Sequence, residues 1–153
     1  VWIVRVHRSE YAEIVDARCG KSSLITTPLI IDDYIYGVGS YGELRGLDAT
    51  TCERLWMSDQ MVAQGRWGSA FMVKQGDRYF VNNDDGFLII AEFTPDGYVE
   101  HGRTRLIEPT SNSGYGPSRF FDRVVNWSHP AYANRHLITR NDKKIVRYSL
   151  AKP

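Results

Sequence analysis

The stretch YIYGVGSYG at residues 34–42 and the stretch RYFVNNDDG at residues 78–86 share one pattern. Each is a run rich in Ile, Val, Tyr and Phe that breaks into turn-forming residues and ends on glycine. The two stretches are offset by 44 residues, so that Gly42 aligns with Gly86. Such runs are typical of short strands joined by tight turns. A strand pattern that recurs at this spacing predicts the blades of a β-propeller.

A third copy of the unit follows after a longer interval. Ile138 lies 58 residues after Phe80, and Val146 lies 58 residues after Leu88. The additional residues fall in a polar loop at 108–123, and the copy ends after its third strand. We therefore predict a third blade that lacks its fourth strand.

The predicted fold class is all-β: a propeller arc of about three four-stranded antiparallel blades that does not close a ring. The chain is then expected to be the C-terminal part of one propeller domain. A β-sandwich is the alternative for many short strands, but it does not predict a repeat spacing held at several positions. The predicted blades are 24–58, 69–107 and 125–150, with the last strand of a preceding blade at 1–8.

The composition limits the classes of function. The 153 residues carry 19 Lys and Arg against 18 Asp and Glu, and 42% of them are hydrophobic. This excludes a disordered chain and disfavours a nucleic-acid-binding domain, which needs an excess of cations to neutralise phosphates. The longest apolar run, residues 87–91, is too short to span a membrane, and residues 1–8 have no signal-peptide pattern. Because residues 87–91 are apolar on both faces, we expect that strand to lie between two neighbouring sheets.

The stretch GLDATTCERLW at residues 46–56 resembles the tryptophan-docking motif of the PQQ-like (quinoprotein alcohol dehydrogenase-like) β-propellers, Ala-x-Asp-x-x-Thr-Gly-x-x-x-Trp. Asp48, Thr51 and Trp56 match the motif, whereas Gly46 replaces Ala and Cys52 replaces Gly. We predict structural roles for these residues. The Trp56 indole would pack on the next blade and bond its backbone, and Asp48 would accept hydrogen bonds from turn amides.

The second unit retains the motif only in part. Ala91 and Gly97 fit its spacing, but Phe93, Asp96 and His101 stand where Asp, Thr and Trp are expected. One good motif with degraded copies indicates the propeller superfamily and no particular activity.

The family resemblance implies the cofactor, metal ion and side chains that a catalytic relative would contain. PQQ-dependent dehydrogenases hold PQQ on the propeller axis with a calcium ion, an Asp base and usually a vicinal disulfide. The sequence has no adjacent Cys pair, and Cys19 and Cys52 also lack a CxxC spacing; whether the two thiols pair is left open. We predict no catalytic residue and no metal ligand, so PQQ with calcium enters only by family analogy. The sequence favours a protein that is not an enzyme.

Two polar groups are candidates for metal binding. Asn82–Gly86 with Glu92 follows an EF-hand spacing in part, but its first position is Val81, which cannot bind a cation. A turn between two strands is the favoured interpretation. His129 and His136 are expected on adjacent strands, without a third ligand.

The loop at 108–123 is the segment outside the repeat with most potential for binding. Its residues Ser113, Tyr115, Arg119 and Phe120 are predicted to form a ligand or partner surface. Trp67, with Tyr115 and Phe120, would instead offer stacking faces to a carbohydrate or polymer.

The favoured function is a non-catalytic binding or scaffold module that contacts a protein partner in the cell envelope. A fragment of a PQQ-dependent alcohol or polyvinyl-alcohol dehydrogenase-like oxidoreductase is the alternative, and a carbohydrate-binding propeller is the third. The expected partners are the remaining blades and a protein, without nucleic acid or a membrane span. The resemblance implies a periplasmic or secreted location.

Overall fold

The structure is a computed structural model that describes residues 26–113 and 123–151, and the regular elements of these residues are β-strands. Runs of alternating apolar residues form the strands, and turns that contain Gly, Asn or Asp end them. Most strands are therefore three to nine residues long. The strands are β1 (Leu29–Ile31), β2 (Tyr34–Val38), β3 (Leu44–Asp48), β4 (Arg54–Ser58), β5 (Ala70–Gln75), β6 (Arg78–Asn83), β7 (Phe87–Thr94), β8 (Gly97–Arg105), β9 (Ser111–Asn112), β10 (Val124–Val125), β11 (Ala131–Ala133), β12 (His136–Arg140) and β13 (Ile145–Ser149).

These strands form three successive antiparallel meanders. Sheet I has the order β1-β2-β3-β4, sheet II has the order β5-β6-β7-β8, and sheet III has the order β11-β12-β13. The fold is the predicted incomplete propeller arc, and the third sheet has three strands, as the sequence indicates. The two-stranded ribbon β9-β10, which the sequence did not predict, lies between sheets II and III in the chain.

Strand β7 is covered on both sides. Ile89, Ala91 and Phe93 belong to the core shared with sheet I. Leu88 and Ile90 belong to the core shared with sheet III. The apolar composition of both faces therefore arises because sheet II is packed between two neighbours, which confirms the expectation for residues 87–91.

The outer faces of the arc are more exposed. On sheet I, Leu55 and Met57 alternate with Trp56 and so lie on the face turned away from sheet II, where they are 44% and 54% exposed. On sheet III, Ile138 and Ile145 alternate with the residues that face sheet II, and Ile145 is 72% exposed. Within the described residues the arc therefore ends in two partly apolar sheet faces.

One end of the arc carries the blade-to-blade connections and the β2–β3, β6–β7 and β12–β13 turns. We call it the connection face. Its backbone is tied together, since Trp67 N donates to Ser40 O at 2.7 Å and Leu106 N donates to Gly86 O at 2.9 Å. Gly86 has a φ of 82°, and a Cβ there would lie 1.9 Å from Ile107 O, so this turn requires glycine. In the described part of the chain, no helix is long and apolar enough to cross a membrane.

Candidate functional site

The docking motif begins with the turn after β3. Oδ1 of Asp48 accepts hydrogen bonds from Thr50 N at 2.9 Å, Thr51 N at 2.7 Å and Thr51 Oγ1 at 3.1 Å. These bonds to the charged form lower the pKa of Asp48. Cys52, at the glycine position of the motif, is buried and has a φ of 59°, a conformation that glycine adopts more readily.

Trp56 joins sheet I to sheet II. Its Nε1 donates to Thr94 O at 3.0 Å, across the junction. The indole lies over Gly46, its cross-strand partner, where a Cβ would come within 2.4 Å of the ring. Tyr36 stacks on Trp56 at 5.8 Å and on Phe93 at 5.5 Å between ring centroids. Trp56 thus joins the two blades, and Asp48 and Thr51 hold the turn that precedes its strand.

Sheet II has a different pair at the equivalent place. A bulge between Ile90 and Ala91, equivalent to the one between Gly46 and Leu47 in sheet I, leaves His101 without a cross-strand partner, and Gly102 of β8 lies opposite Ile90 of β7. The motif spacing assigned the Trp position to His101. That assignment is wrong by one residue because the residues paired at the bulge are 12 positions apart in sheet II (90 to 102) and 10 positions apart in sheet I (46 to 56). In sheet I the small residue of the pair, Gly46, lies on the third strand and the large one, Trp56, on the fourth. In sheet II the third strand carries the large residue, Ile90, and the fourth strand carries the small one, Gly102. The His101 imidazole instead lies 3.2 Å from Glu92 Oε2.

Sheets II and III are joined without an indole. The Tyr132 hydroxyl donates to Asn82 Oδ1, and its ring stacks on Phe80 with centroids 5.6 Å apart. The Tyr148 hydroxyl donates to Leu106 O. Burial raises the pKa of Tyr132, so its hydroxyl stays protonated as a donor.

The connection face contains a buried carboxylate. Asp84, which is 1% exposed, accepts hydrogen bonds at Oδ2 from Ser69 N at 2.9 Å and from the Arg123 guanidinium. Asp85 Oδ1 lies 3.8 Å from Arg123 Nη1. Burial raises the pKa of Asp84 to about 6, although Arg123 acts in the opposite direction.

Arg123 also closes the base of the predicted partner loop. Ser113 N and Ser113 Oγ both donate to Arg123 O, at 2.9 and 2.8 Å. The loop therefore starts and ends at one point of the connection face, beside Asp84. Ser113 is buried at this base. Tyr115, Arg119 and Phe120 lie outside the described residues, as does Cys19.

A second part of the connection face is a strained corner. Trp67 has a φ of 64°, which is unusual for a bulky side chain. The corner is held by the bond from Trp67 N to Ser40 O. The Arg66 guanidinium lies over the Trp67 ring, 4.7 Å from its centroid. Both side chains are half-buried, so part of each faces solvent.

The Asn82–Gly86 segment is a turn in the structure. Gly86 N donates to Asn83 O at 3.1 Å, and β7 begins at Phe87. Glu92 lies in β7 and faces His101. The described residues include no group of three or more His, Cys, Asp or Glu side chains that could hold a metal ion.

The acidic residues of the connection face do not fit the calcium ion that the family resemblance implies. Where acidic side chains do gather, at Asp84 and Asp85, the Arg123 guanidinium already provides the positive charge. His129 and His136 are not brought together either. Nδ1 of His129 donates to Pro130 O at 2.7 Å, and Nδ1 of His136 donates to Asn134 O at 2.8 Å.

Sequence reasoning missed a repeated asparagine on the connection face. Asn83 Nδ2 donates to Met61 O at 2.9 Å, and Asn141 Nδ2 donates to Glu108 O at 2.8 Å. Each amide ties the end of a second strand to the preceding blade connection. The two residues lie 58 positions apart, which is the offset of Phe80 and Ile138, so the repeat itself would have identified them.

No family model matches the sequence, and no curated protein matches it. Among solved structures, the quinohemoprotein alcohol dehydrogenase from Comamonas testosteroni is 16% identical with a TM-score of 0.49, over 85% of this chain and 20% of that one. BamB from Moraxella catarrhalis is 11% identical with a TM-score of 0.44, over 86% of this chain and 48% of that one. The Cps50 (Swd1) β-propeller domain from Myceliophteria thermophila is 14% identical with a TM-score of 0.46, over 99% of this chain and 48% of that one.

The chain thus spans between a fifth and about a half of the length of these structures. They are likenesses of fold at low identity. The stacked sheets and their junctions establish the propeller arc on their own.

Proposed function

We propose that this protein is a non-catalytic, PQQ-like β-propeller module that binds a protein partner through its connection face. The observation that carries the proposal is the corner formed by Arg66 and Trp67. Residues held in sparsely populated backbone conformations cluster at active sites, ligand clamps and switch regions. Arg and Trp are also enriched at the centres of protein interfaces, where they contribute most of the binding energy.

The partner loop is the second part of the proposed surface. Its base is fixed to the body of sheet II because Arg123 bonds the buried Asp84. A loop on a rigid base can present Tyr115, Arg119 and Phe120 to a partner. We propose a location in the cell envelope, in the periplasm or outside the cell, which the family resemblance supports.

The buried Asp84 carboxylate of the connection face favours a binding role for this face over a catalytic one. The Asp84 carboxylate is sealed from solvent and engaged by Ser69 and Arg123. A general base must reach the proton of a bound substrate, and a carboxylate that is 1% exposed does not meet a substrate in solution.

Site-directed photo-crosslinking tests the proposal. A benzoylphenylalanine residue replaces Trp67 in one variant and Tyr115 in another, and each is irradiated in the source cells. A third variant carries the crosslinker at Asp77, an exposed turn residue at the opposite end of sheet II. We expect positions 67 and 115 to yield the same protein adduct and position 77 to yield none. Equal adducts from all three positions, or none from position 67, would refute the proposal.

A cofactor assay addresses the alternative of a quinoprotein dehydrogenase. The full-length protein is mixed with PQQ and calcium, and the absorbance of bound cofactor and alcohol-dependent dye reduction are recorded. We expect neither signal. Saturable cofactor binding with turnover would contradict the non-catalytic assignment, whatever the crosslinking result.

A further inference from the structure

A cleft of about 480 Å3 opens on the connection face beside sheet III. Its volume is that of a typical small-ligand pocket, about 300 to 1,000 Å3. The cleft is separate from the Asp84 cluster and from the Arg66–Trp67 corner. It is lined by Ser111, Trp127, Ser128, His129, Arg140 and Asp142.

The acceptors of the cleft are held in place by other residues. Thr110 Oγ1 and Ser111 Oγ donate to Asp142 Oδ2, at 3.2 and 2.6 Å. These bonds lower the pKa of Asp142, with a smaller contribution from Arg140, and keep the carboxylate charged. Its other oxygen, Oδ1, accepts no hydrogen bond from a described residue. Because Nδ1 of His129 donates to Pro130 O, the neutral imidazole offers Nε2 as a second acceptor.

The donors of the cleft have fewer internal partners. Nε1 of Trp127 is buried and makes no hydrogen bond with any described residue. This N–H has no surface open to the cleft, so a ligand there does not contact it. Arg140 is exposed, and its charge acts on Asp142. The cleft therefore combines one cation, one anion, an imidazole acceptor and serine hydroxyls.

From this combination we propose that the cleft is a saccharide-binding site. One guanidinium and one carboxylate side by side give no net preference for a charged ligand. The hydroxyls of a neutral sugar both donate and accept, so they can donate to Asp142 Oδ1 and His129 Nε2 and accept from Arg140. The Trp127 indole lies in the wall of the cleft and serves as the reporter of binding. The site is independent of the proposed protein partner.

The test is an NMR titration of the full chain with four neutral trisaccharides: cellotriose, maltotriose, laminaritriose and N,N′,N″-triacetylchitotriose. The indole N–H signal of Trp127 is assigned from its loss in Trp127→Phe. We expect at least one sugar to shift this signal saturably at millimolar concentration, without shifting the Trp67 indole. Asp142→Asn weakens that binding by about tenfold, because a charge-assisted bond is lost.

A second variant keeps the binding test valid if Asp142→Asn does not fold. Arg140→Gln replaces an exposed side chain, so it folds even where Asp142→Asn does not, and it weakens the sugar by about fivefold or more. Asp96→Asn, in an exposed turn of sheet II, is the matched control and leaves the affinity unchanged. The proposal is overturned if none of the four sugars shifts Trp127. It is overturned equally if acetate or phosphate saturates the cleft and no sugar competes.

Discussion

The two junctions of the arc solve the same packing problem with different chemistry. Between sheets I and II, one indole lies over Gly46 and donates to Thr94 O, and Tyr36 stacks between this indole and Phe93. Between sheets II and III, two tyrosine hydroxyls make the polar bonds beside an aliphatic cluster that contains Leu88 and Leu137. The docking motif is therefore one way to join blades, and its loss in sheet II does not prevent stacking.

The two junctions also differ in the residues that are paired between the third and fourth strands of sheets I and II. At the first junction the small residue, Gly46, lies on β3 and the large residue, Trp56, lies on β4, so a side chain of the outer strand contacts the next sheet. At the second junction Ile90 on β7 is the large residue, Gly102 on β8 is the small one, and sheet III supplies the reaching side chains. The predictions below test whether each junction depends on its own set of contacts.

The largest effect is expected for Trp56→Ala. Removing the indole leaves a cavity beside Tyr36 and loses the bond to Thr94 O, so the free energy of unfolding falls by about 3 to 5 kcal/mol. Trp56→Phe keeps most of the ring packing and loses the bond alone, for about 1 kcal/mol. Urea unfolding of both variants measures the two values. Equal losses would mean that the ring contributes little beyond its hydrogen bond.

The next effect concerns Asp84, which is bonded to the connections of both junctions. Its pKa of about 6 in the folded protein lies above the 3.8 of an unperturbed group. The folded state therefore binds the proton more tightly than the unfolded state. The contribution of Asp84 to the free energy of unfolding is then greatest below pH 4 and falls by up to about 3 kcal/mol as the pH rises through 6.

Chemical denaturation across this pH range checks the prediction for Asp84. Asp84→Asn provides the control, because the part of the pH dependence due to this group disappears. If the wild type instead gains stability relative to Asp84→Asn over the same range, the ion pair with Arg123 outweighs burial and the assigned direction is wrong.

A smaller effect on the free energy of unfolding is expected when alanine replaces Gly46 or Gly102, the glycines of the two cross-strand pairs. Gly46→Ala places a Cβ against the Trp56 ring and lowers the free energy of unfolding by about 1 to 3 kcal/mol. Gly102→Ala meets nothing within 4 Å, and its effect stays within about 0.5 kcal/mol. Thermal unfolding of the two variants makes the comparison. Similar losses at both sites would contradict the exchange of large and small residues.

The smallest effect is expected for Tyr132→Phe at the second junction. The variant leaves Asn82 Oδ1 without its donor and costs about 1 to 2 kcal/mol. Tyr34→Phe is the control, because the Tyr34 hydroxyl makes no hydrogen bond with a described residue. A loss of the same size in the control would show that the Tyr132 bond adds nothing to the ring packing.

The parts of the fold that depend on local pattern could be predicted from the sequence. The strands of sheets I and II, the burial of β7 on both faces and the turn around Asp48 each follow from residues that are close in the chain. The presence of Gly102 rather than His101 at the Trp position could not be predicted, because the β7–β8 hairpin is longer than the β3–β4 hairpin and the motif spacing was taken from the shorter one.

The connection face was harder to predict for another reason. Asp84 and Arg123 lie 39 residues apart, on either side of a connection whose length differs from the other connections, so no spacing relates them. Cys52 shows the opposite case. The motif alone indicated that glycine is preferred there, and the positive φ agrees with that preference.

The hydrogen bond from the Trp56 indole to Thr94 O defines the first junction. Indole hydrogen exchange combined with nuclear Overhauser effects detects this bond in solution. We predict that the Trp56 indole proton exchanges far more slowly than that of Trp67 and shows Overhauser contacts to protons of residues 94–95. An indole proton that exchanges as fast as that of Trp67, without contacts to sheet II, would show that the bond does not form.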